Sequence, residues 1–201
     1  MADQTFTFTL DSFRITDTRS LHEDTDYVSF TLGVDKAGTM GAPQTLTKYM
    51  GDVNNGTFQV NLSFPKVAVG PTDLIVVNYL IVNTGHKNPS QTVSTLENAG
   101  TQLAIKGGAA AAGAIAGSAI PGLGTALGAI AGWLAGEIVS IINANCDGPV
   151  AAEQNRFTLS DLMAKTAAGK FTHTTKHPGI DSAHGCGSNS VYYATWHIQR
   201  D

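Results

Sequence analysis

Leu74-Ile75-Val76-Val77-Asn78-Tyr79-Leu80-Ile81-Val82 is apolar at nearly every position. A strand with both faces covered reads this way, because neither side meets water. Working outward, Thr5-Phe6-Thr7-Phe8-Thr9-Leu10 alternates with period two, the mark of a strand with one buried face. Phe13 and Ile15 extend it after a bend at Asp11-Ser12. Residues 27–34 repeat the alternation, with Val28, Phe30, Leu32 and Val34 on one face. A polar connection from Thr16 to Asp26 joins the two. Asn54-Asn55-Gly56 reads as a hairpin turn, since Asn-Gly tolerates positive φ. Its flanks, Thr45–Tyr49 and Phe58 to Phe64, suit paired strands. Strands with turns between them and no strand–helix alternation predict a mainly β (α+β) fold built on an antiparallel β-sandwich.

Composition bounds what such a fold does. The chain has 201 residues, 12 Lys+Arg against 16 Asp+Glu, a net charge of -4 and two cysteines. That length suits one large β domain, or one domain with an insertion. Charged residues are 14%, which excludes the charge-rich composition of disordered chains. The acidic balance argues against nucleic acid as a partner, which asks for a basic footprint. Two cysteines exclude a disulfide-dense scaffold. The opening MADQTFTFTL has neither a basic region nor an apolar one, so the expected location is cytoplasmic, or outside the cell by a non-classical route.

The middle breaks the β pattern. From Gly107 to Gly136 no residue is charged, and Gly, Ala, Ile and Leu predominate. Two helices are predicted. The first opens at the capping-box sequence Ser94-Thr95-Leu96-Glu97 and runs to about Ile120, where Pro121 stops it. The second runs from about Leu123 to Ala144, with Gly124, Gly128, Gly132 and Gly136 at spacing four. Trp133 lies within it. Four glycines in a helix cost roughly 4 kcal/mol relative to alanine. Close approach of a second helix offsets that cost, and Gly113 and Gly117 supply small residues on the first. The prediction is an antiparallel helical hairpin over 94–145, inserted into one discontinuous sandwich of 1–93 and 146–201.

Gly113-Ala114-Ile115-Ala116-Gly117 and the run Ile120 to Gly132 resemble the glycine-zipper hairpins of bacteriocins, secreted toxins and other membrane-active proteins. The resemblance covers about 40 residues and implies bilayer insertion or self-association. The whole chain is similar to small microbial β-sandwich proteins with the same strand–hairpin–strand layout, a likeness that carries no function. Three fates for the hairpin stay open: a lipid membrane, burial inside a soluble fold, or a contact between copies in a homo-oligomer. The uncharged part of the first helix is short for a full span of ~20 residues.

After the hairpin, Gly148-Pro149 terminates the helix, Phe157-Thr158-Leu159 suggests a short strand, and Ser160 caps a helical turn to Lys165. Residues 172–190 read as a loop, and Val191–Ile198 as a last strand with Tyr192, Ala194, Trp196 and Ile198 on one side. Three sets of candidate ligands follow. Asp17, Glu23, Asp24 and Asp26 cluster in one connection, and carboxylates at the end of a sandwich suit calcium, which takes six to eight oxygens. His173, His177, His184 and Cys186 carry zinc-type donors without a zinc-finger spacing. Cys146 and Cys186 are either a disulfide closing a long loop or two free thiols. No cofactor is implied beyond a calcium ion.

Triads, glycosidase carboxylate pairs and redox motifs leave no trace. Gly187-Ser188-Asn189-Ser190 lacks the strand–turn–helix context of a nucleophile elbow, so no enzyme is expected. Two functions are open. One is a toxin-like or pore-forming protein whose sandwich carries a membrane-active hairpin. The other is a soluble recognition module that binds calcium, carbohydrate or a protein through its loops, with the hairpin as a structural layer or subunit interface.

Overall fold

The computed structural model describes residues 3–18, 24–84, 89–111, 148–178 and 190–201. Along them run β1 (Gln4–Asp17), β2 (Asp24–Lys36), β3 (Thr39–Met40), β4 (Gln44–Val53), β5 (Gly56–Val69), β6 (Asp73–Asn83), α1 (Pro89–Ala111), β7 (Gly148–Thr158), α2 (Leu159–Lys165), β8 (Lys170–Pro178) and β9 (Val191–Arg200). The strands form two antiparallel sheets. The first has the order β5-β1-β9-β8, and the second runs β3-β2-β6-β7 with β4 also paired to β2.

The period-two patterns set the inner faces. Phe6, Phe8, Leu10, Phe13 and Ile15 from β1, with Tyr192, Ala194, Trp196 and Ile198 from β9, meet Val28, Phe30, Ile75, Val77, Tyr79 and Ile81 from the second sheet. Side chains from two such faces interdigitate as a β-sandwich core. The change of parity between Leu10 and Phe13 has a cause. Leu10 opposes Trp196 and Ser12 opposes Thr195, so Asp11 is an extra residue in β1. The expected bend is a β-bulge in one continuous strand.

The outer face of the second sheet carries a third layer. Leu96 and Ala99 of α1 pack on Tyr27, Leu80, Val82 and Ala152. This cover explains why β6 is apolar on both faces. Two polar side chains of the sheet reach the helix backbone: Gln154 Nε2 donates to the Leu103 carbonyl at 2.8 Å, and Asn78 Nδ2 to the Gly100 carbonyl at 3.4 Å. Gly100 sits so close to β2 that an added Cβ would collide with Thr31 Oγ1.

Several sequence expectations change. Asn54-Asn55-Gly56 makes no hairpin ladder: β4 pairs β2, whereas β5 pairs β1, so the turn carries the chain from one sheet to the other. The two-residue hairpin is Ala37-Gly38, both at positive φ, closing β2 onto β3. Helix α1 begins at Pro89, not Ser94; proline suits a first helical position because its missing N–H would lack a partner there anyway. Ser94 and Glu97 lie exposed in its interior. Helix α2 is capped by Thr158 rather than Ser160, in a reciprocal box with Asp161. Residues 170–178 form β8 where a loop was expected, and β7 starts at Gly148, well before Phe157.

Replacing Gly100 with alanine will lift α1 off β2. The expected loss of stability is about 1–3 kcal/mol, the usual range for overpacking, read as a lowered urea midpoint.

Candidate functional site

Charge is scarce in the chain, yet four carboxyls are buried among the described residues: Asp35 accepts from the Gly38 N–H at the β2–β3 turn, and the other three fall into two groups, Glu153 at 1% exposure, and Asp24 with Asp26, both wholly buried. Burying an unpaired carboxylate is costly, so each must find donors or a proton. Both groups of partners lie between the sheets.

Glu153 is the inward residue of β7 opposite Tyr79 of β6. The Tyr79 hydroxyl donates to its Oε2 at 2.7 Å, and the Thr175 hydroxyl of β8 at 2.8 Å. Trp196 Nε1 of β9 approaches the same oxygen at 3.4 Å. Asn155 Nδ2 donates to Oε1 at 2.8 Å, and the half-exposed His173 places Nε2 3.6 Å from it. Donors from four strands of two sheets therefore converge on one carboxylate.

His177 extends the network inward. Its Nε2 lies 2.7 Å from the Tyr79 oxygen. Tyr79 has one hydroxyl hydrogen and directs it at Glu153, so the imidazole Nε2–H donates to the tyrosine oxygen. The neutral ring then leaves Nδ1 with a lone pair, buried and without a partner among the described residues. Burial pushes the His177 pKa down to about 4, opposed by the nearby Glu153 charge. Burial, then the charge and hydrogen bond of Glu153, hold the Tyr79 hydroxyl well above its usual range.

The second group adjoins the first. Tyr192 of β9 is the register partner of His177. Its hydroxyl lies 2.9 Å from Asp26 Oδ2 and 3.1 Å from Asp24 Oδ2. One hydrogen cannot serve two acceptors fully. Asp26 Oδ1 is buried with no partner among the described residues. Burial raises the Asp26 pKa well above the carboxylate range, the Tyr192 hydrogen bond opposes this, and the Asp24 charge adds to it.

Four of these residues were singled out from the sequence, in other settings. Asp24 and Asp26 belong to β2 and point into the core, where a polar connection was expected; Asp17 ends β1 at the surface. His173 and His177 face inward on β8, four residues apart and hence about 13 Å along the strand. They are too far apart to share one ion, and the His177 Nε2 is already engaged. No group of three or more His, Cys, Asp or Glu side chains that could hold a metal converges among the described residues. Glu23, His184, Cys146, Cys186, Gly113, Gly117, Pro121, Gly124, Gly128, Gly132, Trp133 and Gly136 lie outside the described residues. Glu153, Tyr79, Thr175 and Tyr192 carried no motif. The one available signal was the alternation Phe171, His173, Thr175, His177 against Lys170, Thr172, Thr174, Lys176, which places the histidines on a buried face.

The described residues define an antiparallel β-sandwich with a helix packed on the outer face of its second sheet. No family model matches the chain, and no curated protein matches it significantly. It is similar to a solved structure of CC2D1B, described as coordinating ESRCT-III activity during the mitotic reformation of the nuclear envelope, at 8% identity and a TM-score of 0.38. That match covers 99% of this chain and 55% of the other, so the chain spans about half its length.

His177 and Asp26 tilt stability in opposite directions. His177 binds its proton more readily unfolded, so its contribution is complete above about pH 6.5 and is lost as pH falls toward 4. Asp26 binds its proton more readily folded, so its contribution is complete below about pH 4 and is lost as pH rises through the raised value. Asp26→Asn removes the second slope. The expected result is a steeper gain of stability between pH 4 and 6.5 than in the wild type, measured by urea unfolding followed through Trp196 fluorescence.

Proposed function

We propose that this is a non-enzymatic, toxin-like membrane-active protein, in which the β-sandwich carries a glycine-zipper helical hairpin that enters a bilayer or assembles there. The observation that supports this is the way the insert joins the fold. β6 and β7 are neighbours, and Asn83 pairs directly with Gly148. The two strands that flank residues 84–147 therefore pair directly with each other. Helix α1 accounts for the start of that insert by docking on the second sheet. The uncharged stretch from Gly107 to Gly136 continues from its last turns. No helix among the described residues is long and apolar enough to cross a membrane, so the proposal rests on the insert's sequence and its point of attachment.

The net charge of -4 and the lack of charge from Gly107 to Gly136 make apolar burial the driving force. Binding should then need no anionic lipid and should survive high salt. The test is co-flotation and dye release with phosphatidylcholine vesicles, using the full chain. The expected outcome is binding that persists in 1 M salt and is lost in Gly128→Leu/Gly132→Leu, whose bulky side chains hold the helices apart. Absence of flotation and leakage between pH 4 and 8 contradicts the proposal.

A second reading, a recognition module that takes calcium through Asp24 and Asp26, is favoured by the partnerless Oδ1 of Asp26. It predicts a calcium-dependent rise in melting temperature that Asp26→Asn removes. An unchanged melting temperature in millimolar calcium contradicts it.

A further inference from the structure

We infer that His177 is an acid-sensitive latch that holds edge strand β8 against β6 and β7, the two strands between which the apolar insert departs. The inference deepens the membrane reading and rests on it for its biological meaning, although the latch itself is a property of the sandwich.

The geometry carries it. Among the described residues β8 ends the first sheet and pairs only with β9. Its hold on the second sheet therefore depends on its inward side chains. Two of them bind the polar seam: Thr175 donates to Glu153 on β7, and His177 to Tyr79 on β6. His177 is 1% exposed, and its Nδ1 has no partner. A proton arriving at Nδ1 would create a buried N–H with no acceptor, together with a buried positive charge. Each is costly in a core. Protonation is therefore compatible with an undocked β8 and poorly compatible with a docked one.

The surrounding titratable groups do not remove this asymmetry. Glu153 faces the ring from β7, and its charge partly offsets the effect of burial, but its hydrogen bond goes to the Tyr79 hydroxyl and offers nothing to Nδ1. Tyr79 faces it from β6 as an acceptor for Nε2 alone. Tyr192 lies beside it on β9, with its hydroxyl committed to Asp24 and Asp26 of β2. His173, on the same strand, contacts Glu153 and not His177. Asp26 remains between β2 and β9 when β8 leaves, so its own titration does not enter the local opening. With a docked value of about 4 against 6.5 in the open state, acidification from pH 7 to pH 5 should raise the opening equilibrium of β8 about 20-fold.

Hydrogen exchange read by mass spectrometry at pH 7 and pH 5, corrected for intrinsic rates, tests this on the full chain and on His177→Gln. The glutamine amide keeps a donor for Tyr79 and cannot titrate. Loss of protection in peptides covering 170–178 on acidification, in wild type but not in His177→Gln, supports the latch. Equal loss in both proteins, or none in the wild type, overturns it. Should the variant fail to fold, the His177 ring is titrated by NMR in the wild type. A ring that stays neutral to about pH 4 supports the latch, and one that titrates near 6.5 overturns it. Phosphatidylcholine vesicles added at both pH values separate the two claims. Opening of β8 without vesicle binding upholds the latch and contradicts the membrane reading. Vesicle binding equal at both pH values, with β8 protected throughout, upholds the membrane reading and overturns the latch.

Discussion

A buried Glu153 carboxylate ties the two sheets together. The apolar core attracts the sheets without direction, as area burial does. Glu153 adds direction, because its donors come from β6, β7, β8 and β9 and must meet at two oxygens. A carboxylate taken out of water at this depth is tolerated only while those donors stay in place. Position and register of four strands are thus linked through one side chain. The strands on either side of the insert, β6 and β7, are two of the four.

The same arrangement makes the seam sensitive to protons. Three carboxyls and one imidazole share a small volume, held by the hydroxyls of Tyr79, Thr175 and Tyr192. Their balance relies on hydroxyl hydrogens and on the neutral form of His177. Acid and base therefore act on different members: His177 on the acid side, Asp26 on the other. The helical layer meets the sheet through apolar contacts, through backbone carbonyls and through a hydroxyl pair, Thr45 with Thr101.

The architecture was legible where burial is written in apolar residues. β6 announced itself by an unbroken apolar run, and β9 by Tyr192, Ala194, Trp196 and Ile198. β8 was hidden because its inward positions are Phe171, His173, Thr175 and His177, and only the first looks like core. β7 was hidden because Ala151-Ala152-Glu153-Gln154-Asn155 has little strand propensity; its place comes from pairing with β6 on one edge and α1 above it. The turn at Asn54-Asn55-Gly56 was real, but turn chemistry does not say which sheet the next strand joins. The seam was hardest to see. A lone Glu, a Tyr and a Thr from three strands become neighbours only after register is set, and Asp24 and Asp26 look like loop carboxylates until β2 is known to begin there.

The account stands on Glu153 acting as a shared acceptor, and a double-mutant cycle measures that directly. Tyr79→Phe and Thr175→Val each remove one donor to Oε2 from a different sheet. If the seam is one network, urea unfolding of the single and double variants will show a coupling energy of about 0.5–3 kcal/mol between them. Additivity within ~0.3 kcal/mol would mean that the two hydroxyls act independently, and that Glu153 does not join the sheets.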